Sequence, residues 1–134
     1  MGSEMCIRDR ILSAFAASLF HNVVFIEQHS FGTTTVSSTY ISGSVAEILC
    51  TAFLMLVILL VTRYDNRIYG LAIGGAVTVS ALLIGDITGA SLNPARSIGP
   101  MVLYGNIDEL WFYLLFPTLG SSVITVLFRQ FTKN

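Results

Sequence analysis

The chain has 134 residues, of which 54% are hydrophobic and 11% are charged, and its formal net charge is −1. Soluble domains carry about 25% charged residues, so this composition excludes an ordinary soluble domain and predicts an integral protein of the lipid bilayer. A nearly neutral chain gives no indication of nucleic acid as a partner. Cys6 and Cys50 stand in no metal or redox spacing. We therefore expect free thiols, no metal site and no cofactor.

Residues 1–10 differ in composition from the sequence that follows. They contain four charged residues and a second methionine, Met5, before an abrupt change to apolar sequence at Ile11. We interpret them as a foreign junction segment and leave them out of the predicted fold. A signal peptide is the alternative interpretation, and it is weaker because the apolar stretch continues to Ile26, well beyond the small residues near Ala16.

Residues 11–134 are predicted to form an all-α, polytopic bundle of membrane helices. Four apolar segments predict its long helices; the first is interpreted as a partial spanning helix, and the others have roughly the 20 residues that a bilayer crossing requires. These segments are residues 11–26, about 42–62, about 68–84 and about 108–128. Gly70 and Gly74 are spaced so that another helix can approach the third segment closely. Pro117 is expected to bend the last segment.

The positions of Lys and Arg predict the orientation of the chain. Six of the seven basic residues lie at three places between or beside the apolar segments: Arg8 and Arg10, Arg63 and Arg67, Arg129 and Lys133. If the chain crosses at each of the four segments, these places share one side, which the positive-inside rule makes cytoplasmic. Loop 62–70 and the C-terminus are then cytoplasmic. The seventh basic residue, Arg96, lies in the extracellular half of the membrane.

Residues 89–100, with the sequence GASLNPARSIGP, form a polar interruption of the apolar sequence. Asn93 followed by Pro94 is typical of a helix start, because an Asn side chain caps free backbone N–H groups and Pro at the first helical position loses no needed donor. Gly105 limits this helix to about residues 94–103, roughly 15 Å. A helix of that length spans half of a bilayer core of about 30 Å.

The residues before this half-helix are predicted to form a re-entrant loop, about residues 85–91, because irregular backbone at membrane depth must border protein or a water-filled cavity. We expect Asn93 to cap the helix through its oxygen and to donate from its NH2 group, and Arg96 to oppose cations. Such a lining conducts neutral hydrogen-bonding molecules and rejects ions. Backbone carbonyls that accept hydrogen bonds from the solute are expected at Gly89, Ala90 and Ser91.

Two carboxylates near this stretch have alternative interpretations. Glu47 is the one charge in the second apolar segment, and an ionisable group at membrane depth is often a functional residue such as a proton relay. We prefer a structural role, in which its carboxylate accepts hydrogen bonds from the re-entrant backbone. Asp86 is expected to fix the loop ahead of the half-helix. No nucleophile, base and orienting partner can be assembled from these residues, so an enzyme is not predicted.

Residues 89–100 resemble the second Asn-Pro-Ala box of the aquaporin, or major intrinsic protein, family, with Ala95 completing the triplet. Residues 43–48 resemble the start of the family's fourth helix, residues 71–74 its fifth and residues 111–120 its sixth. The resemblance covers the chain from about Ile11 to its end. It implies an aquaporin-like C-terminal half, a passive channel for water and small neutral solutes, and a homo-tetramer.

The resemblance also implies which residues set the width of the pore. In the family the narrowest point of the pore is made by four residues. Three are the arginine of this box and the residues three and twelve positions before its Asn, and the fourth comes from the other, N-terminal half of the family's sequence. Here the first three are Arg96, Ala90 and Ala81. Water-specific members place His at the position of Ala81, so alanine implies a wider opening for urea, ammonia or glycerol. Ser97 is similar to water channels, and water remains the first expectation.

The family has two Asn-Pro-Ala boxes from two inverted repeats, and this sequence has one. The resemblance therefore implies a truncated form, which needs the missing repeat to conduct. The alternative is a non-conducting truncated partner of full-length channels. A secondary transporter with a broken helix is disfavoured because a paired, coupled carboxylate is absent from the sequence.

Overall fold

The computed structural model describes residues 7–25, 32–64 and 67–132, and the described residues form five α-helices and no strand. The helices are α1 (Ile7–Val24), α2 (Tyr40–Tyr64), α3 (Tyr69–Thr88), α4 (Pro94–Tyr104) and α5 (Leu110–Thr132). Three of them, α2, α3 and α5, are long and apolar enough to cross a membrane by length and composition. The all-α membrane bundle predicted from the sequence is confirmed.

The interior of the bundle is small and about half of its buried side chains are polar, whereas its outer surface is apolar. Leu71, Leu82 and Phe131 are each at least 80% exposed, while Glu47 and Ser80 are fully buried. This distribution is the reverse of that in a soluble protein. It suits lipid, in which apolar side chains face the acyl chains and polar side chains satisfy one another between helices.

The helix bounds differ from the predicted ones at two places that matter. Helix α1 begins at Ile7, so residues 7–10, which we assigned to a junction outside the fold, are helical. Asp9 in its first turn interacts favourably with the positive end of the helix dipole. Helix α3 continues to Thr88, so the loop ahead of α4 is shorter than the predicted residues 85–91. The predictions for residues 1–6, including Cys6, and for Ile26 lie outside the described residues.

The helices pack in the spatial order α3, α2, α5, α4, α1. Two glycines allow the closest approaches. A Cβ at Gly99 of α4 would lie 2.7 Å from the carbonyl carbon of Ala14 in α1, and a Cβ at Gly120 of α5 would meet the carbonyl oxygen of Ile48 in α2. The expected close contact at Gly70 and Gly74 is not formed within the described residues, since a Cβ there would meet nothing within 4 Å.

The loop between α3 and α4 is part of the core rather than a surface connection. Ala90 and Leu92 are each 7% exposed and pack with Ile84 of α3. Three partly buried side chains of α2 complete this cluster: Ala46, Cys50 and Leu54. A second cluster joins Met101 of α4 to the fully buried rings of Phe112 and Tyr113 in α5. The first cluster packs the loop against α2 and α3, and the second packs α4 against α5.

Candidate functional site

Helix α4 starts as its sequence predicts. Asn93 has extended backbone, with φ −156° and ψ 120°, and its Oδ1 accepts a hydrogen bond of 3.0 Å from the N–H of Ala95. Pro94 occupies the first helical position. Gly105 ends the helix in the left-handed conformation, with φ 82°. The 11 residues of α4 span roughly 16 Å, about half of a bilayer core.

The loop ahead of α4 holds unusual backbone conformations. Gly89 has a φ of 73°, and the non-glycine residues Ala90 and Leu92 have φ values of 48° and 54°. The left-handed region costs a non-glycine residue roughly 1–2 kcal/mol, so other interactions must stabilise the two residues there.

The carboxylate of Glu47 supplies that stabilisation. Its Oε1 accepts hydrogen bonds from the N–H of Ser91, at 2.9 Å, and from Oγ1 of Thr88, at 2.7 Å. Its Oε2 accepts a hydrogen bond of 3.0 Å from the N–H of Leu92. Because the carboxylate is fully buried, these three donors provide the partners that water would otherwise offer.

Thr88 connects this carboxylate to the rest of the site. Its Oγ1, which donates to Glu47, also accepts a hydrogen bond of 3.2 Å from the N–H of Ala90. Its carbonyl accepts a hydrogen bond of 2.7 Å from the hydroxyl of Tyr113 in α5. The loop is therefore hydrogen-bonded to α2 through Glu47 and to α5 through Tyr113, and these bonds favour a single loop conformation.

The segment 32–39 lies against the site and is attached to it at three points. Oγ1 of Thr34 lies 2.8 Å from Oγ of Ser97 in α4. The N–H of Val36 donates to Oε2 of Glu109 at 3.0 Å, and the N–H of Ser37 donates to the carbonyl of Ile87 at 2.9 Å. This segment therefore contacts α4, the residue just ahead of α5 and the end of α3.

A cavity of about 660 Å³ lies between α1 and the start of α4. Asn93, Ala95 and Arg96 line one wall. Polar and charged residues of α1 line the other wall, among them Asp9, Arg10, Ser13, Ser18 and His21. The side chain of Arg96 is exposed and forms no ion pair with any described residue. Since Oδ1 of Asn93 is used by the cap, its NH2 group is left to donate on this wall, beside the N–H groups of Arg96.

The structure brings together some of the predicted site residues and separates others. Asn93, Ala95 and Arg96 share the cavity wall, with Pro94 between them at the helix start. The predicted acceptors, Gly89, Ala90 and Ser91, lie in the loop between α3 and α4 and do not line this cavity. Ala81 is exposed on α3 and does not line the cavity.

Asp86, which we expected to fix the loop, lies instead in the last turns of α3, where it is exposed and forms no hydrogen bond with the described residues. The groups that do hold the loop include Thr88 and Tyr113, which the sequence interpretation did not name as anchors. Thr88 had a detectable signal, because a threonine two residues before Ala90 can accept its N–H in a local turn. Tyr113 had none, since its contact depends on the packing of α5.

Comparisons with known proteins point to one family. A profile of the family described as major intrinsic protein matches residues 5–128. Aquaporin NIP2-1 of Arabidopsis thaliana is 40% identical over 121 aligned positions, covering 86% of this chain and 42% of that protein. Nodulin-26 of Glycine max is 37% identical over 117 positions, covering 84% of this chain and 43% of that protein. The chain thus spans about two fifths of the length of these curated relatives.

Proposed function

This chain belongs to the major intrinsic protein family, and from that premise we propose that it is part of a passive transmembrane channel for water and small neutral solutes. The family consists of channels rather than enzymes. The observation that carries the proposal is the half-length helix α4, which is capped by Asn93 and opens onto a cavity beside Arg96.

The chemistry of this wall favours neutral solutes. The NH2 group of Asn93 offers a hydrogen-bond donor, and the carbonyls of the preceding loop are proposed to offer acceptors along the same path. The guanidinium of Arg96 and the positive end of the α4 dipole both oppose cations. A molecule that exchanges hydrogen bonds without carrying charge therefore meets the smallest barrier.

The width of the path is proposed to depend on Arg96, Ala90 and Ala81. Alanine at the last two positions leaves room that a ring would fill. Water is the first candidate for the conducted molecule, and the small side chains also favour urea, ammonia and glycerol. Ala81 faces out of the described bundle, which fits a path completed by residues beyond those described.

We propose an orientation from the three apolar helices. If α2, α3 and α5 cross the bilayer, the loop 62–70 and the C-terminus share one side, and segment 32–39 and α4 approach from the other. Arg63, Arg67 and Arg129 lie on the first side, which the positive-inside rule makes cytoplasmic. Arg96 then lies in the extracellular half of the membrane.

A half-helix lines only part of a pore, and the described residues contain a single half-helix, α4. We propose that conduction requires a second half-helix of the kind found in inverted-repeat transporters and channels, and that four such channels associate. The alternative is that this chain packs with full-length channels without conducting. The exposed apolar surface of the bundle is compatible with both arrangements, in lipid or against protein.

Proteoliposome swelling separates these alternatives. We would compare osmotic water permeability for the chain alone and for a fusion that places the N-terminal part of Aquaporin NIP2-1 ahead of Ile11. Permeability above empty vesicles for the fusion, but not for the chain alone, supports a channel that needs its other half. Swelling with neither protein, when both are folded and inserted, would count against the channel proposal.

A further inference from the structure

Three buried hydroxyl groups form a continuous row from segment 32–39 to the first turn of α4. Oγ1 of Thr34 lies 2.8 Å from Oγ of Ser97, which lies 2.7 Å from Oγ of Ser91. Oγ of Ser91 lies 3.1 Å from the carbonyl oxygen of Asn93. Thr34, Ser97 and Ser91 are each at most 1% exposed. We refer to these three side chains as the hydroxyl row.

The hydroxyl row has one order of donors. Each hydroxyl has a single proton, and the carbonyl of Asn93 can only accept. When all three hydrogen bonds are formed together, Ser91 donates to Asn93, Ser97 to Ser91, and Thr34 to Ser97. Thr34 is the first donor of the row, and its burial prevents bulk water from taking its place.

We propose that Thr34 is a positioning residue for the wall formed by Asn93 and Arg96, a proposal that rests on the channel function proposed for that wall. The carbonyl at the end of the row also accepts a hydrogen bond of 3.1 Å from the N–H of Arg96. Thr34 thus acts through Ser97 and Ser91 on the residue that caps α4. Segment 32–39 thereby sets where the first turn of α4 lies.

The hydroxyl row and Glu47 hold different atoms of the same loop. Glu47 binds the backbone N–H groups of Ser91 and Leu92, whereas the row binds the hydroxyl of Ser91 and the first turn of α4. Loss of the row should therefore loosen the amides of Ala95 and Arg96 more than those of Ser91 and Leu92. A general loss of stability would loosen all four.

The methyl and hydroxyl groups of Thr34 have separate contacts. A Cβ at Gly89 would lie 3.1 Å from Cγ2 of Thr34, so the methyl packs on the left-handed turn. Thr34→Val keeps this packing and removes the hydroxyl, whereas Thr34→Ser keeps the hydroxyl and removes the methyl. Thr33→Val is a matched control, because Oγ1 of Thr33 is buried without a hydrogen-bond partner among the described residues.

Hydrogen–deuterium exchange of the chain in lipid nanodiscs tests the proposal. In Thr34→Val the amides of Ala95 and Arg96 are expected to exchange about tenfold faster, because Ser97 has lost its donor. Thr34→Ser and Thr33→Val should match the unsubstituted chain at these amides. Equal rates in Thr34→Val and Thr33→Val, or no rescue by Thr34→Ser, would overturn the proposal.

Ser97→Ala provides a second test if Thr34→Val does not fold. It interrupts the hydroxyl row at its middle, so it should also accelerate exchange at Ala95 and Arg96, and unchanged exchange there would refute the role of the row. Exchange does not depend on conduction. If the fusion protein passes no water, the channel proposal fails while the exchange result still decides the role of Thr34.

Discussion

Replacing Glu47 by glutamine is expected to release the loop ahead of α4. The two oxygens of the carboxylate accept from the backbone N–H groups of Ser91 and Leu92. Glutamine has one oxygen and one NH2 group, so one of these N–H groups, such as that of Leu92, faces another donor and loses its hydrogen bond. A hydrogen bond to a charged group contributes about 1.5–3 kcal/mol, and the bonds that remain become neutral and weaker. A total loss of about 3 kcal/mol corresponds to a roughly hundredfold larger population of open loop.

Backbone strain acts in the same direction. Ala90 and Leu92 hold left-handed conformations that cost roughly 1–2 kcal/mol each, and the carboxylate stabilises the peptide between them. Hydrogen–deuterium exchange in nanodiscs should show the amides of Ser91 and Leu92 losing about two orders of magnitude of protection in Glu47→Gln. In the fusion protein, osmotic water permeability should fall as well.

The matched control is Glu109→Gln. This carboxylate is only partly buried and accepts hydrogen bonds from the N–H of Val36, at 3.0 Å, and from the hydroxyl of Tyr40, at 3.4 Å. Its replacement should cost about 1 kcal/mol or less at Val36. Ser91 should be unaffected. If Glu47→Gln leaves the protection of Ser91 within twofold of the unsubstituted chain, the carboxylate does not hold the loop and the reasoning is wrong.

Three further predictions concern packing, charge and a single hydrogen bond. Gly99→Ala should lower the free energy of unfolding by about 1–3 kcal/mol, because the added Cβ meets α1. Gly74→Ala should be neutral or stabilising, because a Cβ there meets nothing within 4 Å. Chemical denaturation in detergent measures both changes. Arg96→Ala in the fusion protein should admit ions or larger solutes, and an unchanged ion conductance and glycerol permeability would remove it from the filter. Tyr113→Phe should cost about 1 kcal/mol in the same denaturation assay by leaving the carbonyl of Thr88 without its donor, and no change would make that bond dispensable.

The polar interior of the bundle links these predictions. In lipid, burial of apolar side chains gives little preference for one packing over another, since the acyl chains are equally apolar. The position of the loop and of α4 then depends on hydrogen bonds and close helix contacts. Small changes at Glu47, Thr34 or Gly99 are therefore expected to have larger effects than changes of exposed leucines such as Leu82.

Much of this arrangement could be predicted from the sequence, because its causes are local. The composition alone predicts a membrane protein, and the length of the apolar segments predicts the spanning helices. The start of α4 was predicted because an Asn cap and a following Pro act within a few residues, and Gly105 ends the same helix for an equally local reason. Arg96 stood out in the sequence because the other six basic residues lie at the ends of apolar segments.

Other features depend on residues that are distant in sequence. Glu47 was expected to accept hydrogen bonds from the re-entrant backbone, but the particular amides, 44 and 45 residues later, follow from the packing of α2 against its neighbours. Asp86, which was expected to fix the loop, is instead exposed within α3, because this helix continues to Thr88. The loop is held by hydrogen bonds from side chains buried inside the bundle, those of Glu47, Thr88 and Tyr113.

Sequence by itself determined the class of protein, the half-helix and the chemistry of its cap, since capping energies and hydropathy depend on neighbouring residues. Only the tertiary structure decided what holds that half-helix in place. The contact between Thr34 and Ser97 joins residues 63 positions apart, and it exists only because segment 32–39 lies over the end of α3. Contacts of this kind have no local signature, because their energy is gained only once the helices have packed.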